Sequence, residues 1–92
     1  MADGDTYHLL LYTYVPDMAE RRGPHRDRHL ARIGAEREAG RISFAGAFDP
    51  PSGAAIVFKN VDNAHVERFV DADPYVQSGL VTTSRIERWN LV

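Results

Sequence analysis

Two groups of side chains in this sequence have the types and spacing for chemistry. The segment FVDADPYVQSGLV, residues 69–81, places Asp71 and Asp73 where a helix ought to end. The segment GPHRDRHLARI, residues 23–33, places His25 and His29 four apart among Arg26, Arg28 and Arg32. A helix C-terminus carries partial negative charge, so a carboxylate there costs a few tenths to about 1 kcal/mol. Val66, Phe69 and Val70 mark an apolar stripe, and Asp73 continues it at the next helical step. An acid facing inward at its own helix end needs a donor or a cation.

His29 is one candidate partner. It adjoins Leu30, which the spacing assigns to the core side of a first helix, so the imidazole falls at the edge of the buried stripe. If both helices cover one sheet face, a meeting of His29 and Asp73 is geometrically open. A carboxylate bonded to one ring nitrogen fixes the tautomer and leaves the other nitrogen as a general acid or base, a role that typically contributes about 10²–10⁴ in rate. The competing reading has Asp73 capping the turn before Tyr75 and Val76 through backbone bonds.

Other chemistries fit less well. The His25–His29 spacing suits two ligands of one metal, but the intervening Arg-Asp-Arg is not the zincin H-E-x-x-H, and three arginines would repel a divalent ion. No metal and no cofactor is therefore expected. The same arginines as a nucleic-acid patch are diluted by Asp17, Glu20 and Asp27, and no glycine-rich phosphate loop accompanies them. A solvated face, with a bound small anion as a secondary reading, is the simpler account. Ser43, Ser52, Ser78 and Ser84 lack a nucleophile-elbow context, and Asp71 with Asp73 suits neither carboxylate spacing of a glycosidase.

The bulk properties set the frame. Ninety-two residues, 43% apolar and 26% charged, make a single domain over residues 1–92, with residues 1–5 polar and loose. A net charge of −2 offers no general attraction to nucleic acid. The absence of cysteine removes disulfides and thiolate chemistry. No apolar run approaches the about 18 residues needed to cross a bilayer, so neither nucleic acid nor membrane is an expected partner and a cytoplasmic location is the default.

TYHLLLYTYV, 6–15, reads as a strand that Pro16 closes. One face carries Tyr7, Leu9, Leu11 and Val15, the other His8, Leu10, Tyr12 and Tyr14, so both faces are apolar enough to be covered. PDMAERRG, 16–23, reads as a polar connection. Pro24 and Gly40 bracket a helix over 24–39, with Leu30, Ile33 and Arg37 at helical spacing. A strand over 41–49, with Gly46 as a bulge or close approach, leads through the turn PPSG to a strand over 54–61. Asp62 caps a second helix, Val61 and Val66 form a hydrophobic staple, and Pro74 stops the helix near Ala72. A short segment to Gly79 precedes a final strand over 80–92. The order βαββαβ predicts an α+β, ferredoxin-like fold: a four-stranded antiparallel sheet with two helices on one face. The uncovered face then calls for a second copy, hence a homodimer.

The stretches RHLARI (28–33), EAGRISFAGAF (38–48), AAIVF (54–58), FVDADPYVQSGLV (69–81) and IERWN (86–90) together resemble the YciI-like, or YCII-related, domain, with DADPY the most specific piece. The resemblance covers about residues 7–90. It implies a dimeric α/β barrel, in which two four-stranded sheets face one another. It also implies an active site built from a histidine on the first helix and an aspartate in the D-P-Y segment, which fall here on His29 and Asp73. His25 and the arginine-rich helix start depart from the family pattern and leave room for a different anion preference. One branch of the family resembles dehydrochlorinases of chlorinated hydroxyquinols, and the wider barrel superfamily includes muconolactone isomerases.

The expected function is that of a small, metal-free homodimeric enzyme of lyase or isomerase type, acting on a small cyclic or aromatic oxygenated compound. His29 would carry the proton, Asp73 would orient it, and Arg28, Arg32 and Tyr75 would bind the substrate. The alternative is a non-catalytic dimeric module that binds a ligand or partner protein, in which the His29–Asp73 pair is structural.

Overall fold

The computed structural model describes residues 4–92. The chain runs β1 (Tyr7–Tyr14), α1 (Met18–Arg21), α2 (Gly23–Glu38), β2 (Ile42–Ala47), β3 (Gly53–Lys59), α3 (Asn63–Asp71), α4 (Pro74–Gln77) and β4 (Val81–Arg88). The strands form one antiparallel sheet in the order β2-β3-β1-β4. The two crossovers, β1 to β2 and β3 to β4, carry the helices. This is the ferredoxin-like arrangement that the element order predicts.

The alternation along β1 decides which face the helices cover. His8, Leu10, Tyr12 and Tyr14 are buried, while Tyr7, Leu9 and Leu11 are half-buried and Thr13 is exposed. The core lies between the even-numbered face and the helices, where Leu10, Ile56 and Phe58 meet Ile33, Val66 and Phe69. Each such apolar side chain contributes about 1.5–3 kcal/mol by leaving water. On the opposite face Leu9 pairs with Val57, which pairs in turn with Phe44, and Phe44 is 74% exposed.

Local signals account for most element ends. Asp62 sits in extended backbone and its carboxylate accepts the His65 amide at 2.8 Å, which satisfies an orphan donor of α3. Gly40 takes φ +78° after α2, where the Arg41 amide bonds Glu36 O at 2.9 Å and the Gly40 amide bonds Arg37 O at 3.0 Å, a Schellman motif.

Four features differ from the sequence reading. The segment 16–23 is not only a connection: it holds the single turn α1, whose Met18 is buried in the core. Residues 74–77 form a further turn, α4, because Asp73 and Pro74 end α3 and at the same time start a helix as N-cap and first-turn proline. The irregularity in β2 falls at Ser43, between Ile42 and Phe44, not at Gly46. The close approach belongs to Gly53, where a Cβ would lie 2.2 Å from Tyr12 O. The expected looseness of residues 1–3 lies outside the described residues. Asp5, however, is held, since its carboxylate accepts from Asn60 Nδ2 at 3.0 Å and lies 3.6 Å from Lys59 Nζ.

The first long helix is also rotated from its expected setting. Its buried positions are His29, Ile33 and Glu36, while Leu30 is 43% exposed. Apolar spacing alone puts Leu30 inward. Two polar side chains take the inward positions because each finds hydrogen-bond partners there: the buried Asp73 for His29, and the partly exposed His65 and Arg41 for Glu36.

Candidate functional site

Asp73 is fully buried, and its position follows from the chain around it. Pro74 forces extended dihedrals on the preceding residue, and Asp73 takes φ −70°, ψ 123°. That geometry turns its carboxylate back over α4, where Oδ1 accepts the Tyr75 amide at 3.0 Å. The acid is therefore an N-cap rather than a charge stranded at a helix C-terminus. It has capacity left over. Oδ1 also lies 2.8 Å from His29 Nδ1, and Oδ2 accepts from Tyr12 Oη at 2.8 Å. The capping bond and the histidine bond coexist on one carboxylate. Three donors satisfy a buried charge that would otherwise be costly.

Tyr12 carries no signal that singles it out in the sequence beyond being an inward tyrosine, whose hydroxyl must find a partner when buried. Burial, reinforced by the charge of Asp73, pushes the Tyr12 phenol far above its ordinary range, so it remains a donor. The Tyr75 ring stacks on the His29 imidazole with centroids 3.9 Å apart and planes 12° from parallel, and meets Tyr14 edge-on at 5.9 Å. Asp73 thus fixes one nitrogen of His29 and Tyr75 fixes the plane of its ring. With Nδ1 committed to the carboxylate as donor, Nε2 is the nitrogen left with a lone pair.

A cavity of about 370 Å³ opens between α2 and the strands β2 and β3, of a size for a small ligand. His29 and Tyr75 line it at one end with Tyr14, Arg22 and Arg26. Its further wall is made of small residues, Gly34 from α2 and Ala45, Ala47 and Ala54 from the sheet. These small side chains leave room in the gap between helix and sheet: a Cβ built on Gly34 meets nothing within 4 Å.

The other residues singled out by spacing lie elsewhere. Arg28 is exposed and its Nη2 reaches His25 Nδ1 at 3.1 Å. Arg32 turns to the opposite side of the helix, donating to Phe69 O at 2.8 Å with its guanidinium 4.4 Å from the centre of the Phe69 ring. Neither borders the cavity, whose cations are Arg22, Arg26 and Arg37. Arg28 and Arg32, expected to bind substrate, thus stand outside this cavity: helix rotation, which brings His29 inward, carries them away. Asp71 ends α3 in the open and lines a separate hollow beside Glu67 and Ser84. A second, partly buried network ties α2 to α3 and to the residue before β2, with Glu36 accepting from His65 Nε2 and Arg41 Nε. Burial raises the Glu36 carboxyl, but these two donors outweigh it and hold the group below its ordinary value.

The YCII-related domain family matches residues 6–90. The chain belongs to that family. This YCII-related domain protein is similar in structure to the 5-chloro-2-hydroxyhydroquinone dehydrochlorinase of Burkholderia phenoliruptrix AC1100, determined in complex with 2,5-dihydroxybenzoquinone, with a TM-score of 0.79 and 22% identity over 91% of this chain and 93% of that one. A second structure, from Bacteriodes thetaiotaomicron VPI-5482, is provisionally named an antibiotic biosynthesis monooxygenase; it has a TM-score of 0.61 and 13% identity over 100% of this chain and 93% of its own. At these identities the likeness is one of fold, and it agrees with the ferredoxin-like topology above. No curated protein sequence matches the YCII-related domain protein. Among its described residues, no helix is long and apolar enough to cross a membrane.

Proposed function

We propose that this protein is an enzyme that moves a proton on a small oxygenated cyclic compound, with His29 as general acid and base and Asp73 as the group that orients it. The observation that carries this reading is the commitment of His29 Nδ1 to a buried carboxylate while the same imidazole lines a ligand-sized cavity. In such an arrangement Nε2 takes a proton from a ring hydroxyl, and the imidazolium that forms lies against Asp73. The same nitrogen returns the proton to a ring carbon. That enol-to-keto step is common to isomerases and to eliminations, and a lone acid/base pair suffices for it, whereas hydrolysis usually adds an activated nucleophile or a metal. The fold neighbour that acts on a chlorinated hydroxyhydroquinone supports the substrate class.

The protein works as a homodimer in this reading. Leu9 and the exposed Phe44 share the sheet face away from the helices with the already buried Val57, and a second copy set against that face would cover Leu9 and Phe44. Light scattering should then give about twice the 10.3 kDa chain mass.

The test of the chemistry is chloride release from 5-chloro-2-hydroxyhydroquinone, together with deuterium exchange at ring carbons of hydroquinone analogues. His29→Asn keeps an amide N–H near the Nδ1 position but removes the second nitrogen. Turnover should fall by about 10²-fold or more while the melting temperature changes little. Unchanged turnover, with a melting temperature lower by several degrees, would assign the pair a structural role and favour the ligand-binding module.

A further inference from the structure

The first turn of α2 is charged against its own helix. Arg22 occupies the N-cap position and Arg26 lies one turn on, and no acidic residue stands in that turn. Cations at a helix N-terminus oppose the dipole, and like charges at i and i+4 oppose one another. Among the described residues neither guanidinium forms an ion pair, in contrast to Arg21, which reaches Asp17, and Arg41, which reaches Glu36. Both line the cavity that His29 borders.

A second observation concerns the tyrosines of the same wall. Tyr14 is 6% exposed and Tyr75 3%, both line the cavity, and among the described residues neither hydroxyl has a hydrogen-bond partner. The rings are buried but the hydroxyl oxygens are not sealed from solvent, so each is free to donate to a ligand in the cavity. Burial raises both phenols, and the opposing positive charge comes from Arg22 at Tyr14 and from Arg22 and Arg26 at Tyr75. Two guanidinium groups, two free hydroxyls and a helix N-terminus therefore converge at the His29 end of the cavity. Arg37, also on the cavity wall, is 11 positions beyond Arg26, or about 16 Å along the helix, too far to share one small anion.

We propose that the ligand of this cavity carries a carboxylate, seated between Arg22 and Arg26 with the Tyr14 and Tyr75 hydroxyls donating to it, and a flat apolar body lying along Gly34, Ala45, Ala47 and Ala54. A planar carboxylate matches a guanidinium fork, and it relieves the repulsion between the two arginines. The small residues of the opposite wall set the width available to the body. The inference rests on the proposed role of this cavity as the substrate site and narrows its substrate class to hydroxylated cyclic or aromatic acids.

Calorimetric titration with 4-hydroxybenzoate and with its neutral isostere 4-hydroxybenzamide tests the proposal without any need for turnover. The acid should bind at least ~10-fold more tightly than the amide, the ratio of one charge-assisted contact. Arg22→Gln and Arg26→Gln should each reduce the preference toward unity, while Arg28→Gln, outside the cavity, should leave it unchanged. Addition of the acid should also move the Nε–Hε resonances of Arg22 and Arg26. Equal binding of acid and amide, binding of neither, or a preference that survives both cavity substitutions overturns the carboxylate site. His29→Asn separates this from the catalytic reading: it should retain the preference for the acid even where proton transfer is lost. Turnover that depends on His29, with no preference for the acid, would defeat the carboxylate inference and leave the catalytic one standing.

Discussion

Tyr12 Oη and Asp73 Oδ2 are hydrogen-bonded at 2.8 Å although 61 positions of chain separate them, and the bond is buried. It joins the sheet to the segment that holds His29. Tyr12→Phe removes the donor and leaves Oδ2 short of a partner in an apolar setting, which costs about 1–3 kcal/mol. At ~4–8 °C per kcal/mol for a domain of this size, the melting temperature should fall by several degrees or more. A thermal melt unchanged within a degree would mean that the bond does not support the site.

Substitutions at Asp73 should separate charge from hydrogen bonding. Asn keeps an oxygen for the Tyr75 amide and for His29 Nδ1, and its amide group faces a Tyr12 hydroxyl that is able to accept. Alanine leaves three donors without an acceptor, each at a cost of about 1–3 kcal/mol. The melting temperatures should therefore rank wild type above Asp73→Asn and Asp73→Asn well above Asp73→Ala. With roughly 5–15 kcal/mol of total stability in a typical domain, the alanine variant should lie near the limit of folding. An alanine variant as stable as the asparagine one would show that the three bonds carry little.

Two glycines should respond in opposite directions. A Cβ at Gly53 would lie 2.2 Å from Tyr12 O, so Gly53→Ala must displace strand β3 or β1, and overpacking of this kind typically costs about 1–3 kcal/mol. A Cβ at Gly34 meets nothing within 4 Å, and an alanine there should gain up to ~1 kcal/mol of helix propensity. Gly34→Leu should extend into the cavity, keep the fold and weaken binding of ring-sized ligands. Chemical denaturation of the two alanine variants and a ligand titration of the leucine variant would check these outcomes.

The pH dependence has a named source in His8. Its Nδ1 is buried without a partner, and burial holds its pKa below the ordinary 6.5, assisted by the charge of Arg88 and opposed by Asp62. Above 6.5 the group is neutral in both the folded and the unfolded chain. As pH falls through 6.5 the unfolded chain takes up the proton first, so stability declines down to the depressed folded value. His8→Leu should flatten the decline in stability as pH falls below the ordinary 6.5. Glu36 acts lower: its depressed carboxyl contributes stability above the ordinary 4.5 that is lost as pH falls below it. Denaturation curves for His8→Leu that kept the full decline would place its origin elsewhere.

Local signals made much of the scaffold legible. Asp62 as a cap, Gly40 as a left-handed terminator and the alternation along β1 depend only on near neighbours, and the structure shows each where the residues indicate. The same local reading stopped α3 at Pro74 but missed α4, because one Asp-Pro pair serves as an end and a beginning. It also left both faces of β1 equivalent, since alternation tells the two sides apart without saying which one the helices cover.

What tertiary structure alone decided is the rotation of α2. Apolar periodicity favoured Leu30 inward, yet the buried Asp73 carboxyl needs hydrogen-bond donors that a leucine cannot supply, and the helix turns His29 to it instead. That turn carries Arg28 and Arg32 off the site, brings Arg22 and Arg26 onto it, and opens a hollow beside Gly34. Such choices sum contacts between residues dozens of positions apart, which no short window of sequence contains. Residue types set which partners were chemically possible; the packed sheet and helices selected among them.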